Sequence, residues 1–480
     1  MRDKYIVGID VGSQSAKVLI YDLEGNIAAK GRKKLAPMHL AENGVVEHPD
    51  DDLWDSLCEA CRLALADFGD DPAKIIGIGL GGIRCCRVLL KKDGTLAQPV
   101  ISWMDARTAV PYEHTNPEVA YVTSTTGYLS CRMTGEFKDC IGNAFGEWPV
   151  DMTTWNWSDD EEVLRRYQIP REMLFEAVGP GEVIGHVNAY AAERTGLAEG
   201  LPVVSVTNDK AVEGLGAGLV NEETAVISLG TYITLMIQGK KLPENPKALW
   251  AIISSVPGMY LYESYGIRRG MWTVSWFRDL FGDGLVQEAK KAGVSPEEIL
   301  NRKAEKVPAG SDGLMTILDW LANAWEPYKR GIMIGFQAHM NEGYMYRSIL
   351  EGIAYTMKNN CDAMCEELGK PLKEIVISGG GSNSDLFMQI FADIFNMPAR
   401  RNVINESASL GAVINTAVAL GLFEDYESAV AQMVKVRDVF TPNPENLRLY
   451  DKLNQRAYKK MGQYTDGVLK EIYNVYNEKN

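Results

Sequence analysis

The sequence predicts an α/β protein built as two related domains with a cleft between them. Its 480 residues are enough for two large domains. Short apolar runs typical of buried strands alternate with helix-spaced segments along the chain. The order strand, glycine turn and returning strand occurs twice, and each time a strand, a loop and a helix follow. We therefore expect domains at residues 1–219 and 220–445, and a helical tail at 446–480 that crosses back onto the first domain.

The first repeat opens with an apolar strand, Tyr5–Ile9, followed by Asp10 and a turn of glycine and serine. The returning strand, Lys17–Tyr21, ends at a hairpin signal that reads DLEG. The other elements predicted for this half are a helix at 52–67 and buried strands at 74–80, 99–102 and 203–206.

The second repeat begins at Thr224 with a strand, Ala225–Leu229, a Gly-Thr turn and a returning strand, Ile233–Ile237. Glu406 and Ser407 suit the start of a later helix. The remaining predicted elements are a strand at 375–378, a helix at about 384–396 and a long helical pattern at 442–480.

Composition narrows the functional classes. A net charge of −15 argues against a nucleic-acid partner, because a chain of phosphates needs a basic surface. No run approaches the roughly 18 apolar residues of a membrane-spanning helix, and the N-terminus runs straight into a strand instead of an export signal. Eight cysteines are too sparse for a disulfide scaffold, and no zinc-site spacing is complete. We therefore expect a cytoplasmic protein that binds neither nucleic acid nor membrane.

The polar turn after the first strand, DVGSQSAK at 10–17, is a candidate phosphate loop. Phosphoryl transfer depends on charge neutralisation and positioning, and a carboxylate at a strand end can hold Mg²⁺. Asp10 is therefore the candidate metal ligand, and the alternative is a polar hairpin whose aspartate only caps the turn. The residues predicted to contact phosphate here are Gly12, Ser13, Gln14, Ser15 and Lys17.

Two turns of the second half are further candidates for nucleotide contact. Gly230 and Thr231 occupy the same strand–turn–strand position as the first loop. A glycine run then follows the strand at 375–378 and opens a helix, although it does not fit the dinucleotide-binding pattern GxGxxG. An ordinary left-handed turn is the alternative at both places. The predicted contacts in the run are Gly379, Gly380, Gly381, Ser382 and Asn383.

The acceptor side is predicted at strand ends of the first half. Asp209 follows a buried strand, where a helix N-terminus would keep its carboxylate ionised so that it can act as a base. The alternative is an ordinary helix cap. Trp103 offers a flat apolar face and Asp105 a directional acceptor, with a salt-bridged loop as the competing interpretation. The other residues predicted to line this side are Arg84, Cys85, Asn208 and Lys210.

In this order, the motifs resemble the FGGY carbohydrate kinases, the family of glycerol kinase and xylulokinase, over nearly the whole chain. Residues 10–17 and 229–231 look like the two phosphate loops of the family, and 103–107 fits its WxDxR pattern. Pro202–Gly218 resembles the segment that carries the catalytic aspartate, which falls on Asp209. Further similar landmarks are Thr134–Glu136, Ser158-Asp159, 331–335, 347–352, 379–382, 392–393 and 410–412.

The resemblance implies two ribonuclease H-like, or actin-like, domains that close around ATP and a sugar. It also implies transfer of the γ-phosphoryl group of ATP to a hydroxyl, with Asp209 as base and Asp10 placing Mg²⁺. This sequence departs from the family pattern in several places. The 108–133 segment is short, and Tyr232, Cys85 and Lys210 stand where the family usually has other residues.

The resemblance favours a ketopentose as acceptor, with a polyol or an aldonate as alternatives. Arg84, Arg87 and Lys210 could form a cationic lobe that binds an acidic acceptor, or they could pair with carboxylates of the chain. A non-catalytic regulator and an ATPase that switches mechanically are rival classes. Asp10 and Asp209 argue for an active enzyme, and the choice between monomer and homodimer stays open.

Overall fold

The computed structural model describes residues 4–144, 146, 148–323 and 325–478 and is a mixed α/β structure, as predicted. The strands of the first half are β1 (Tyr5–Val11), β2 (Ser15–Asp22), β3 (Ile27–Lys34), β4 (His39–Ala41), β5 (Val45–His48), β6 (Ile75–Gly82), β7 (Val88–Leu90), β8 (Val100–Ile101), β9 (Tyr121–Thr123), β10 (Lys138–Cys140), β11 (Val150–Asp151), β12 (Asn156–Trp157), β13 (Glu176–Val178), β14 (Val183–His186) and β15 (Pro202–Ser205). Its helices are α1 (Asp52–Asp67), α2 (Thr125–Thr134), α3 (Glu161–Tyr167), α4 (Ala189–Thr195) and α5 (Asp209–Gly216).

Six strands of the first half form one sheet in the order β14-β15-β6-β1-β2-β3. The central strand β1 pairs antiparallel with β2 and parallel with β6, and β15 pairs parallel with β6. Alternate residues of β1 point to opposite faces of the sheet. Val7 and Ile9 pack with Trp54 and Leu57 of α1, whereas Ile6 belongs to a separate core on the other face.

The second half repeats this plan. Its strands are β16 (Thr224–Leu229), β17 (Ile233–Gly239), β18 (Leu249–Ile253), β19 (Tyr260–Ser264), β20 (Met315–Ile317), β21 (Ile332–Ile334), β22 (Glu374–Ser378), β23 (Ala399–Asn402) and β24 (Val436–Phe440). Its helices are α6 (Gly270–Asp279), α7 (Gly282–Ala292), α8 (Pro296–Ala304), α9 (Glu342–Leu368), α10 (Asp385–Phe395), α11 (Ser407–Ala419), α12 (Tyr426–Met433), α13 (Pro444–Leu453) and α14 (Lys459–Asn477).

The second sheet has the order β18-β19-β17-β16-β22-β23-β24. Its central strand β16 pairs antiparallel with β17 and parallel with β22, and β22 pairs parallel with β23. The core order β19-β17-β16-β22-β23 therefore matches β3-β2-β1-β6-β15 of the first sheet. Each half contains one copy of the same five-stranded plan, and the repeated strand–turn–strand pattern had predicted that the two halves are related.

The helix that follows the last core strand of each half packs on the sheet of the other half. Ala211 of α5 lies in a core with Val226 and Val376 of the second sheet. Conversely, Val413 of α11 packs with Ile6 of the first sheet. Residues 407–433, predicted as part of the second domain, thus contribute to the core of the first.

Glycines allow the two exchanged helices to cross closely. A Cβ at Gly216 of α5 would collide with the carbonyl oxygen of Ser407, and a Cβ at Gly411 of α11 would collide with that of Val212. Both helices can approach only because these positions lack a side chain. The two crossed helices lie between the two sheets, with α5 packed on the second and α11 on the first.

The C-terminal tail packs on the second half, not on the first as predicted. Tyr450 of α13 is buried, and its hydroxyl donates a 2.7 Å hydrogen bond to Glu351 of α9. The Tyr458 hydroxyl donates to the carbonyl oxygens of Thr316 and Gly352 at 3.0 and 3.1 Å. Tyr450, Leu453 and Tyr458 of the tail thus pack on the hydrophobic core of the second half. Among the described residues, no helix is both long and apolar enough to cross a bilayer.

Candidate active site

Asp10 lies one residue before the end of β1, directly opposite Lys17 of β2. Its carboxylate is 3.6 Å from the Lys17 ammonium group. Burial raises the pKa of Asp10, Lys17 lowers it, and the nearby carboxylates of Asp209 and Glu213 raise it again, with a net upward result. The negative charges that raise the pKa of Asp10 also attract a cation to it, and Mg²⁺ prefers oxygen ligands. Asp10 could thus supply one carboxylate ligand to the predicted Mg²⁺, but the described residues contain no cluster of three or more His, Cys, Asp or Glu side chains that could hold a metal ion.

Asp209 is the first residue of α5, and the residue before it, Asn208, is the N-cap of that helix. The Asn208 side-chain oxygen accepts hydrogen bonds from the backbone N–H groups of Lys210 and Ala211, at 3.2 and 3.1 Å. The Asn208 amide also donates to the Gly142 carbonyl at 2.9 Å and is buried. Asn208 therefore caps the helix. This corrects the prediction that it contacts the acceptor. The Asp209 side chain is 36% exposed, so its carboxylate is accessible for proton transfer.

Arg84, on the loop after β6, links Asp209 to the second half. Its guanidinium donates to both oxygens of Glu263, at 2.8 and 2.9 Å, and its Nε lies 3.5 Å from the Asp209 carboxylate. Glu263 belongs to β19, so this bidentate pair joins the two halves. Burial opposes the charge of Arg84, but Glu263 and Asp209 outweigh it and raise the pKa of the guanidinium.

A second ion pair, which is half-buried, involves Lys210, the residue after Asp209. The Lys210 ammonium group donates to Glu213 at 2.8 Å and to the Ser228 hydroxyl of β16 at 2.9 Å. Burial opposes its charge, but Glu213 and Asp209 raise the pKa of Lys210 overall. Arg87 donates to three backbone carbonyls of the 107–110 loop. The predicted cationic lobe is therefore absent as an unpaired cluster, because two of its members pair with carboxylates and the third holds a loop.

The first turn presents only part of the predicted phosphate loop. The Gly12 N–H donates to the Ser15 carbonyl at 3.1 Å, which closes a tight turn with Ser13 and Gln14 at its tip. Ser13 is half-buried and Gln14 is exposed. Ser15, in contrast, is buried in β2 and accepts a 3.3 Å hydrogen bond from Arg32. The hydroxyl of Ser15 is thus engaged inside the sheet rather than at the tip of the turn.

The second turn lies at the start of α6. Gly230 and Thr231 offer their carbonyls to the N–H groups of Met271 and Gly270, at 3.1 and 2.7 Å. The Tyr232 hydroxyl accepts from the Gly266 N–H at 2.8 Å. The turn is therefore fixed by backbone hydrogen bonds, while the Thr231 side chain remains exposed.

The glycine run after β22 packs against the end of β16, next to the second turn. Gly379 has a φ of 89°, a left-handed conformation that favours glycine. A Cβ at Gly381 would lie 2.7 Å from the side chain of Leu229, so the run packs directly against β16. Ser382 is buried and donates to the Gly379 carbonyl at 2.7 Å. Gly380 and Asn383 are the exposed members of the run, and Gly380 faces open space.

The predicted WxDxR motif is a salt-bridged loop, which was the competing interpretation. Asp105 is buried, and its carboxylate accepts hydrogen bonds from the Val46 N–H at 2.6 Å and from Arg107 at 2.7 and 2.9 Å. Asp105 was predicted to contact the sugar. Its oxygens are instead engaged by hydrogen bonds within the protein. Trp103 is 48% exposed and keeps the predicted open apolar face. Cys85, beside Arg84, has a φ of 61°, which is unusual for a residue with a side chain.

Family models match both halves of this structure. The N-terminal domain of the FGGY family of carbohydrate kinases matches residues 5–120 and 110–216, and its C-terminal domain matches 225–420. The chain belongs to the FGGY family of carbohydrate kinases. It is accordingly a phosphotransferase with an alcohol group as acceptor, and kinases of this family use ATP. The predicted family and enzyme class are confirmed.

Individual relatives support the same conclusion. The sugar kinase YgcE of Escherichia coli, whose function is uncharacterised, is 58% identical over 475 residues, which are 99% of this chain and 96% of that protein. The xylulose kinase of Lactococcus lactis is 26% identical over 518 aligned positions that span 99% of both chains. A solved gluconate kinase of Lactobacillus acidophilus has a TM-score of 0.83 at 21% identity and covers 98% of this chain and 99% of its own. The predicted actin-like fold of this FGGY kinase is confirmed.

Sequence reasoning missed two carboxylates of this FGGY kinase, Glu213 and Glu263. Glu263 stands in YLYES, a strand whose residues are all buried, and a charge within such a run indicates a buried partner. Glu213 follows Lys210 by three residues on a predicted helix, a spacing at which side chains meet. Both signals were present in the sequence; the spacing points to Lys210 as the partner of Glu213, whereas nothing local identifies Arg84 of the other half as the partner of Glu263.

Proposed function

We propose that this kinase transfers the γ-phosphoryl group of ATP to a hydroxyl of a small neutral sugar, with a ketopentose as the first candidate. The observation that carries the proposal is the accessible carboxylate of Asp209, which does not cap its helix and interacts electrostatically with Asp10. Phosphoryl transfer to a hydroxyl requires a base for the hydroxyl proton and a carboxylate that holds the metal ion nearby. Asp209 and Asp10 are proposed for these two roles.

In this proposal, Asp209 removes the proton of the attacking hydroxyl and retains it on its carboxylate. The N-terminus of α5 stabilises the ionised form before the reaction. Mg²⁺, held through Asp10, would neutralise charge on the phosphate oxygens. The candidates for ATP contact are half-buried Ser13 of the first turn and two exposed residues, Thr231 of the second turn and Gly380 of the glycine run. Closure of the two halves would exclude water, which competes as phosphoryl acceptor.

The choice of acceptor rests on the pairing of the cations. Arg84 is paired with Glu263 and Lys210 with Glu213, which argues for a neutral acceptor over an aldonate. The similarity to a xylulose kinase over the full chain favours a ketose. Polyols have the same uncharged hydroxyls and are the second candidate class.

The test is ADP release measured with and without a panel of ketoses, polyols and sugar acids. We expect turnover that depends on an acceptor and is greatest with a ketopentose. Hydrolysis of ATP that no acceptor stimulates would identify a switching ATPase, and absence of turnover together with ATP binding would identify a regulator. Either result would contradict the proposed function.

A further inference from the structure

Glu263 is a buried carboxylate at the cleft side of the second sheet. Within β19, Tyr260 and Tyr262 belong to the main core of the second half, whereas Leu261 lies in the core beneath α5. Because side chains alternate along a strand, Glu263 shares the α5 face with Leu261. Its side chain is fully buried among these apolar neighbours. An ionised carboxylate is stable there only with a partner, and both of its oxygens accept hydrogen bonds from Arg84.

The pair directs Arg84 towards the reacting groups. A guanidinium has five N–H donors in one plane. Two are fixed on Glu263 and the Nε points towards Asp209 at 3.5 Å. The structure shows no further partner for the remaining donors among the residues that it describes. They are therefore available to hydroxyl oxygens of an acceptor bound at Asp209.

The charge balance at this position is negative. Two cations, Arg84 and Lys210, are paired with Glu263 and Glu213, and Asp209 carries an additional negative charge. A bound carboxylate would therefore meet no uncompensated cation here, and it would be repelled by Asp209. Without Glu263, the charge of Arg84 would be shared only with Asp209 and could attract an acid.

We propose that Glu263 determines acceptor specificity: by neutralising Arg84 from the opposite half, it makes the site favour neutral sugars and reject sugar acids. This inference rests on the proposed function and adds the residue that sets the charge class of the substrate. Glu263 acts through Arg84 and is not itself a catalytic residue.

The experiment compares matched acceptors, D-xylulose with D-xylonate and sorbitol with D-gluconate, in the wild-type enzyme and in Glu263→Gln. The measured quantity is the ratio of kcat/KM for the acid to that for the neutral acceptor. We expect the ratio to rise about tenfold or more in the variant, equal to about 1.4 kcal/mol. The gain should lie in the KM of the acid, because the charge of Arg84 would attract its carboxylate before and during the reaction alike.

The matched control is Glu351→Gln, which removes another buried carboxylate of the second half, one that pairs with Arg347 of its own helix α9 and not with Arg84. It should lose stability but keep the wild-type ratio. An unchanged ratio in folded Glu263→Gln, or an equal rise in Glu351→Gln, would overturn the inference.

A double variant, Arg84→Gln with Glu263→Gln, covers the case in which the single variant does not fold, since it removes both charges together. Its KM for neutral acceptors should rise while the ratio stays near that of the wild type. A rise of the ratio in the double variant would show that Arg84 is not the cause and would overturn the inference. Wild-type enzyme that phosphorylates none of these acceptors would instead refute the proposed function, and this inference with it.

Discussion

Replacing Asp209 with asparagine tests the proposed base with little change in shape. The side-chain oxygen of asparagine can still accept the 2.9 Å hydrogen bond from the Lys210 N–H, and the Asn208 cap is untouched. Arg84 keeps its bidentate pair with Glu263 and loses only the 3.5 Å contact, which at this exposure is worth less than about 1 kcal/mol. The variant should therefore fold. Loss of a general base slows turnover by about 10²–10⁴-fold, equal to roughly 3–5 kcal/mol of activation free energy.

The assay is steady-state ADP release with the best acceptor, together with ATP affinity from calorimetry and a thermal melt. We expect kcat to fall by at least about a hundredfold, ATP affinity to stay within about threefold, and the melting temperature to fall by less than about 4 °C. Asp425→Asn is the matched control, since Asp425 is an exposed aspartate that caps α12 outside the cleft. It should reduce stability slightly and leave kcat unchanged. A loss of kcat below tenfold in Asp209→Asn would refute the role of this carboxylate.

Three further substitutions test the metal site, the Lys210–Glu213 ion pair and the helix crossing. Asp10→Ala should raise the magnesium concentration needed for half-maximal activity by about tenfold or more, measured by titration at saturating ATP. Lys210→Met should lower the free energy of unfolding by about 3–5 kcal/mol, since it leaves Glu213 buried without its cation, and urea unfolding at pH 5 and pH 8 measures this. Gly411→Ala should destabilise the fold by at least about 1–3 kcal/mol in a thermal melt, because the new Cβ collides with the Val212 carbonyl.

The pH dependence of the lysine variant has a defined sign. In the wild type, burial raises the pKa of Glu213 and Lys210 lowers it, with a net result below the ordinary value. The stability from Glu213 is then present above its unfolded pKa and is lost as the pH falls through its folded pKa. In Lys210→Met, burial, the largest influence on Glu213, is opposed only by hydrogen bonds with Ser228 and Ser378; we expect a raised pKa, so that stability is instead lost as the pH rises through the folded pKa. The deficit should be greater at pH 8 than at pH 5, and an equal deficit would contradict the assignment.

The other two substitutions also have clear contradicting outcomes. An unchanged magnesium requirement in Asp10→Ala would exclude this residue from the metal site. Gly467→Ala is the control for the helix crossing, because Gly467 lies in α14 with open space around its Cα. That change should stabilise the protein by about 0.5–1 kcal/mol, since alanine loses less conformational freedom in a helix. Equal effects of the two alanines would show that the crossing does not depend on Gly411.

Local sequence patterns predicted most of the elements that build the cleft. The helix predicted at 52–67 has those bounds in the structure, and the strand predicted at 375–378 extends by only one residue to Glu374. These elements are determined by the spacing of apolar residues, which is readable along the chain. The placement of the tail was wrong, because its amphipathic face could have covered either domain. The tail packs on the second half because the Tyr450 hydroxyl forms hydrogen bonds there with the buried side chains of Arg347 and Glu351.

The site was predictable where a residue acts through its position on an element. Asp10 near a strand end and Asp209 at a helix start lie where the sequence pattern placed them, because such boundaries can be read from the sequence, while their roles in the reaction stay predictions. Asn208 and Asp105 were assigned to the acceptor although their polar groups are consumed inside the protein. Which of two adjacent polar residues caps a helix depends on backbone angles that the sequence does not specify. The partner of Arg84 lies 179 residues away, so only the folded structure could reveal Glu263.

The exchange of helices between the halves would allow the proposed base and the proposed nucleotide loops to act together. Asp209 belongs to the first half of the chain, but its helix packs on the second sheet, against the strand β16 that Gly230 follows. Lys210 connects the same helix turn to Ser228, two residues before that glycine. Any motion that brings the second sheet towards the acceptor must therefore carry the start of α5 with it. If the halves close as the proposed function expects, the distance between Asp209 and the second turn should therefore change less than the distance from either of them to Asp10 and the first loop.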